Sequence, residues 1–211
     1  FLGAGGGLIN GALTISPGAQ LAVSTGSFQA NGAVTAESAS LFVETGGQLK
    51  LPTLTSYSNP NGSQFRALTG GTLNLSSLTS YTGGTGYQQI LADGTSSLLD
   101  MSGVTSFSAG TYYDTDIRAQ AGGTVNMSGV TSITTGAVDA IASGAGSTIN
   151  FTNLTTLSMN NFSDARRLRA EGGGTVQIKS TGTTTVMNAS VEVDATGTIV
   201  GDTLQVSTDA T

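Results

Sequence analysis

Three arginines recur at equivalent points of a repeated sequence pattern, and their spacing could place three cationic side chains in one row. Arg66, Arg118 and Arg169 each follow a large apolar residue and precede an alanine. Guanidinium groups form paired hydrogen bonds with carboxylates, so such a row could bind an acidic polysaccharide. The alternative is that these arginines form salt bridges with Asp93 or Glu171 and protect the strand surface from aggregation. We favour this second interpretation.

A second group of candidate binding residues lies in the longest segment between two repeats. Tyr112 and Tyr113 would give exposed contact surface there, and they join the arginines as candidate ligand-binding residues. Asp114 and Asp116 are the candidate metal ligands. Ca²⁺ takes six to eight oxygen ligands, and two carboxylates supply only part of such a set. We therefore expect no cofactor, with Ca²⁺ as the alternative.

The residue types present argue against enzymatic activity. The chain has no histidine and no cysteine, so the usual serine and cysteine triads cannot be formed. Sugar cleavage would require two carboxylates on one outer surface. Glu192 and Asp194 flank Val193 and should point outward together, but such a pair is typical of a solvated strand. The sequence predicts a protein without catalytic residues.

Threonines also recur once per repeat, and a regular array of hydroxyl groups could bind ice. The row consists of Thr55, Thr79, Thr105, Thr131 and Thr155. An ice-binding face usually needs two such columns, and the position two residues earlier is occupied by Thr53, Ser77, Gly103, Gly129 and Asn153. Because this second column is broken, we expect the threonines to support the sheet by hydrogen bonding. Asn74, Asn126, Asn150 and Asp100 form a similar column, for which we expect a structural role.

Composition narrows the class of protein. Of 211 residues, 37% are hydrophobic and 9% are charged, with 31 glycines and 3 prolines. Helices usually carry many Lys, Glu and Arg on their exposed sides, so this composition favours an all-β fold. The net charge of −6 gives no basic surface for nucleic acid. No apolar run is long enough to predict a transmembrane segment.

The chain contains an internal repeat of 24 to 27 residues between positions 46 and 178. Each repeat has three short blocks in which apolar and polar residues alternate, which indicates strands with one buried face. Three strands per repeat predict a right-handed parallel β-helix, or β-solenoid, of about 7–9 coils of roughly 20–27 residues. We predict one domain over 1–211, with shorter coils in 1–48, regular repeats in 49–178 and less regular coils in 179–211.

The repeats at 70–81 (GGTLNLSSLTSY), 90–107 (ILADGTSSLLDMSGVTSF) and 117–133 (IRAQAGGTVNMSGVTSI) resemble those of large bacterial surface proteins. These are the filamentous-haemagglutinin-like and autotransporter-like adhesins, and the resemblance covers about residues 46–178. It implies export, placement outside the cell or on its surface, and a role in attachment or as a stalk. No binding residue of that family is matched here.

The functional expectation is a non-enzymatic structural or adhesive segment of a larger bacterial surface or secreted protein. Because the chain starts at Phe1 and shows no capping helix, we expect end-to-end continuation with further repeats. The expected partner is a polysaccharide or a host or matrix surface. Two alternatives remain open: a carbohydrate-binding or carbohydrate-cleaving β-helix module, and an ice-binding β-solenoid.

Overall fold

A computed structural model describes residues 6–159 and 166–207, and it is a parallel β-solenoid of about eight turns. No helix occurs in the described residues, and each turn contributes short strands to three faces. On faces 1 and 3 each strand pairs in parallel with the equivalent strand of the next turn, about one repeat away, whereas on face 2 this pairing is interrupted twice. The rest of the turn serves as the crossover connection that parallel pairing requires. The predicted all-β solenoid is therefore confirmed.

Face 1 is one nine-stranded sheet. Its strands are β1 (Gly7–Ile9), β4 (Ser27–Ala30), β7 (Gln48–Lys50), β10 (Thr72–Asn74), β13 (Leu98–Asp100), β16 (Thr124–Asn126), β19 (Thr148–Asn150), β22 (Thr175–Gln177) and β25 (Thr198–Val200). The apolar residues of the first alternating block form an inner column on this face, because they are direct register partners and are fully buried: Leu49, Leu73, Leu99, Val125, Ile149 and Val176.

Face 2 is divided into three smaller sheets. The first pairs β2 (Leu13–Ile15) with β5 (Val34–Ala36), and the second contains β8 (Ser56–Asn59), β11 (Ser80–Gly83) and β14 (Ser106–Ser108). The third contains β17 (Ser132–Ile133), β20 (Thr156–Ser158), β23 (Thr183–Met187) and β26 (Thr203–Ser207). An aromatic stack runs behind the middle sheet, where Tyr81 packs between Tyr57 and Phe107 with centroids 5.8 and 5.0 Å away.

Face 3 is one eight-stranded sheet. Its strands are β3 (Gln20–Val23), β6 (Ser40–Val43), β9 (Ser63–Leu68), β12 (Gln88–Asp93), β15 (Thr115–Gln120), β18 (Val138–Ser143), β21 (Arg167–Glu171) and β24 (Ser190–Val193). One predicted alignment in this sheet is wrong by one residue. The alternating blocks of the repeat align IASG at 141–144 with IRAQ at 117–120 and so predict Ile141 beside the inward Ile117. In the structure Ala140 pairs with Ile117, and Ile141 pairs with the outward Arg118. Asp116, predicted in a loop, lies in β15.

The Gly-Gly corner between faces 3 and 1 depends on both glycines for different reasons. The first glycine has a left-handed backbone, with φ of 80° at Gly70 and 90° at Gly122. The second glycine is needed because the turn below is too close: a Cβ on Gly123 would lie 2.4 Å from the carbonyl oxygen of Ala92. A left-handed backbone favours glycine at the first position whatever surrounds it, and the stacking of the turns adds the second requirement.

Candidate functional site

The densest group of charged residues lies on the outer surface of face 3, at its edge near face 2. We call it the ion-pair cluster, and it consists of Asp114, Asp116, Arg118, Asp139 and Arg167. Register pairing puts Asp116, Asp139 and Arg167 side by side on three successive strands. Arg118 follows Asp116 by two residues, so both side chains leave the same face of β15.

Asp139 is the centre of this cluster. Its side chain is 2% exposed, and it accepts two hydrogen bonds from Arg167, from Nε at 2.6 Å and from Nη2 at 3.0 Å. Arg118 also donates to Asp139, and its Nη2 lies 2.8 Å from Asp116 Oδ1. A buried carboxylate is tolerated only when it is paired and hydrogen-bonded in this way. Asp139 therefore holds the outer surfaces of three turns together.

The candidate calcium ligands belong to this cluster. One carboxylate oxygen from each of Asp114, Asp116 and Asp139 lies within 4.8 Å of the others. A cation held there would stand beside Arg118 and Arg167, which already use oxygens of Asp116 and Asp139. Three aspartates and two arginines leave one net negative charge, far from the charge that attracts a divalent ion strongly. The geometry favours an ion-pair network over a calcium site.

The arginine row lies where the repeat predicted. Arg66, Arg118 and Arg169 share one outward column, on alternate strands of face 3. The residues between them are apolar: Leu91 and Ile141 are 5% and 6% exposed although they point outward. Long arginine stems cover such neighbours while the charged ends stay in water. The column is thus a set of apolar residues shielded by arginines.

The partners of the three arginines differ from one turn to the next. Arg169 forms the predicted ion pair with Glu171 at 2.6 Å, and a second with Glu192 at 3.5 Å. Arg66 lies over the ring of Phe42, 5.4 Å from its centroid, and the described residues give it no ion pair. Asp93, the other expected partner, forms no ion pair with any of the three arginines in the described residues.

Three exposed tyrosines border the ion-pair cluster. Tyr112 and Tyr113 form an edge-to-face pair with centroids 5.0 Å apart, and they are 68% and 51% exposed. Tyr87 was not among the predicted residues; its hydroxyl donates to Asp116 Oδ2 at 2.7 Å. Partial burial and that hydrogen bond raise the pKa of Tyr87 to about 12, so the phenol remains a donor at neutral pH.

The carboxylate pair weighed for catalysis has structural partners in this structure. Glu192 accepts a hydrogen bond from Ser190 at 2.8 Å and pairs with Arg169. Asp194 accepts hydrogen bonds from the backbone N–H groups of Gly172, Thr196 and Gly197, and these bonds lower its pKa to about 2. Val193, expected to point inward between them, is 51% exposed. Asp194 therefore stays ionised at neutral pH, and both carboxylates serve as hydrogen-bond acceptors.

Asp139, Arg167 and Tyr87 were missed by the sequence analysis. Asp139 stands in the alternating segment Val138–Ser143, and the misplacement of Ile141 by one residue hid its outward position beside Asp116. Arg167 and Tyr87 stand just outside the repeated blocks. Their signal in the sequence is weak because single charged or aromatic residues at corners are ordinary.

Comparison of the chain with protein families, curated proteins and solved structures found no match. The described residues contain no helix long and apolar enough to cross a membrane. Function must therefore be argued from the geometry of the faces and corners.

Proposed function

We propose that this chain is a non-enzymatic structural or adhesive segment of a larger bacterial surface or secreted protein. The observation that supports this proposal is the in-register stacking of faces 1 and 3 from the first turn to the last. Stacking satisfies the backbone of each turn on the turn below and above. Such a rod is a suitable scaffold because few peptide groups are available to a protease.

The charged residues of the scaffold support the same function. Asp116, Asp139 and Glu171 have arginine partners across or along the strands of face 3. Each of these carboxylates already accepts a charge-assisted contact from a guanidinium group, which is a structural use of the side chain. The pairs that Asp139 forms with Arg118 and Arg167 join neighbouring turns, which suits a scaffold.

Surface placement can be tested with antibodies against the purified chain. We expect such antibodies to label intact cells of the organism that makes the protein, or to detect it in the culture medium. An antibody against a cytoplasmic protein of the same cells is the control, since it should label only permeabilised cells. Labelling that appears only after permeabilisation would contradict the proposal.

A second function, carbohydrate contact, is favoured by the tyrosines beside the ion-pair cluster. Tyrosine offers a flat apolar surface and a hydroxyl group, and sugar rings present both apolar C–H faces and hydroxyls. Because Arg118 and Arg167 are already paired with aspartates, the patch lacks free positive charge. We therefore propose that the sugar bound here is neutral, and not the acidic polysaccharide suggested by the arginine row.

This second function predicts the result of changing the tyrosines. The double variant Tyr112→Ala/Tyr113→Ala should bind the best neutral ligand of a glycan array about tenfold more weakly, because aromatic residues often dominate contact energies. Asn61→Ala, at an exposed corner of another turn, is the matched control and should bind normally. Equal binding by both variants would contradict the assignment of the site. Selection of acidic glycans by the unaltered chain would contradict the charge argument.

A further inference from the structure

Face 2 carries two columns of hydroxyl side chains that the sequence analysis did not identify. In five successive turns a serine or threonine stands on each side of a buried apolar residue, so that both hydroxyls point outward. We call this set the hydroxyl face: Ser56, Ser58, Ser80, Thr82, Ser106, Ser108, Ser132, Thr134, Thr156 and Ser158. The residues between them are Tyr57, Tyr81, Phe107, Ile133 and Leu157, all of them buried.

Register pairing aligns the hydroxyls into a two-dimensional array. Ser80 pairs with both Ser56 and Ser106, and Thr82 pairs with both Ser58 and Ser108. The same alignment joins Ser132 to Thr156. Parallel strands lie about 4.8 Å apart and rise about 3.3 Å per residue, so the array repeats at about 4.8 Å in one direction and about 6.6 Å in the other.

The array is interrupted between β14 and β17, which belong to different sheets. The N–H of Ala109 donates to the carbonyl oxygen of Thr135 at 3.0 Å. In a parallel pair the N–H of a residue bonds to the carbonyl that precedes its register partner, so this bond sets Ala109 opposite Gly136 and Ser108 opposite Thr135. The hydroxyl face therefore consists of a three-turn block (β8, β11 and β14) and a two-turn block (β17 and β20), offset by one residue.

The hydroxyls of this face are available to solvent. Within residues 6–159 and 166–207, none of the ten side-chain hydroxyls forms a hydrogen bond to another protein group. The threonine column at the neighbouring corner behaves differently: Thr79 Oγ1 donates to the carbonyl of Thr55 at 2.9 Å, and Thr155 Oγ1 donates to that of Thr131 at 2.8 Å. The threonine column at the corner therefore has the structural role that we expected. The hydroxyls that are open to solvent belong to the two columns of the hydroxyl face, the first of which starts one residue after each corner threonine.

The hydroxyl face has a defined extent and carries no charge. The first column extends to Thr35 and Thr185, but Glu37 stands beside Ser58 at one end and Met187 beside Ser158 at the other. Between these two residues every outward position of both columns is a serine or threonine. A charged side chain would hold a hydration shell of its own, so its absence keeps the water above this face free to follow the array.

We propose that the hydroxyl face binds ice. Its hydroxyls are uncharged, open and repeated in two directions at spacings comparable to the oxygen repeats of hexagonal ice, so one layer of ordered water can bridge them to the crystal. Water-mediated hydrogen bonds are nearly as favourable as direct ones, and the stacked strands have already ordered the side chains. Ice binding goes beyond the proposed structural or adhesive role. A test of ice binding has no bearing on the test of surface placement.

Slow freezing of the purified chain tests this assignment. During directional freezing of a dilute solution, most solutes are excluded from a growing ice front, whereas an ice-binding protein is incorporated. We expect the chain to enter the ice fraction and to inhibit recrystallisation of fine-grained ice. Thr82→Tyr places a bulky ring on β11, the central strand of the three-turn block of the hydroxyl face, and we expect the content of this variant in ice to fall to that of a serum albumin control.

Thr124→Tyr is the matched control variant, because Thr124 points outward from β16 on face 1 in the same part of the solenoid. It should enter ice as the unaltered chain does. Circular dichroism of both variants identifies any loss of fold, and Ser106→Tyr replaces Thr82→Tyr if the latter is unfolded. Exclusion of the unaltered chain from ice, or equal incorporation of both variants, overturns the proposal. Retention on crystalline cellulose or chitin together with exclusion from ice also overturns it.

Discussion

Tyr81→Ala is expected to lower the free energy of unfolding by about 4 kcal/mol, as large aromatic truncations in a core do. Tyr81 is fully buried in the aromatic stack between Tyr57 and Phe107. Its hydroxyl also donates to Gln88 Oε1 at 3.2 Å and accepts from Asn59 Nδ2 at 3.2 Å. The substitution would leave a cavity and two buried amides short of a partner, and adjacent turns cannot collapse because their strands are held in register.

Urea denaturation followed by circular dichroism measures this effect. Tyr81→Phe keeps the ring and removes only the hydroxyl, so we expect a loss of about 1–2 kcal/mol, the range for a buried hydrogen-bond partner. Tyr113→Ala is the exposed control and should change stability by no more than about 0.5 kcal/mol. If Tyr81→Ala lowers the free energy of unfolding by less than about 1.5 kcal/mol, which is no more than loss of the hydroxyl group alone would cost, the aromatic stack is not a central part of the core.

Asp139→Ala is expected to destabilise the chain by about 3 kcal/mol, the lower end of the range for breaking a buried ion pair. The variant removes the shared partner of Arg118 and Arg167, whose side chains are 18% and 31% exposed. Their partial exposure lets water screen the remaining charge, which is the reason for the lower figure. The damage should be local at first, because each turn contacts mainly its neighbours.

The matched control for this prediction is Glu192→Gln, which breaks the more exposed pair with Arg169. We expect it to cost at most about 1 kcal/mol. The double variant Asp139→Ala/Arg167→Ala should be more stable than the sum of the two single variants predicts, because it removes both members of one pair. Additive losses would mean that Asp139 and Arg167 do not interact in solution. Amide hydrogen exchange in β15, β18 and β21 would locate the destabilised turns.

The repeat itself was sufficient to predict the solenoid. Leu73, Leu99 and Val125 recur once per turn, and the alternation of apolar and polar residues around them indicates strands. Parallel stacking of these strands follows without reference to other proteins. The same argument placed Arg66, Arg118 and Arg169 in one outward column. The repeat period predicts these positions correctly because every turn directs the equivalent side chains into the same core.

The contacts between side chains of different turns were beyond the sequence. An error of one residue at Ile141 reverses inward and outward positions, and it concealed Asp139 beside Asp116. The hydroxyl face was concealed for a related reason. The repeated sequence blocks end at Tyr57 and Tyr81, which predicts a corner at the next residue, whereas the strands continue through Ser58 and Thr82.

The sequence by itself determined the length of a turn, the number of faces and most of the residues that fill the core, because buried positions recur once per turn. Only the tertiary structure decided which charges pair, which hydroxyls stay open and where a glycine cannot be replaced. Those properties depend on separations of a few ångströms between neighbouring turns. Corner lengths set these separations, and the corners differ from one turn to the next.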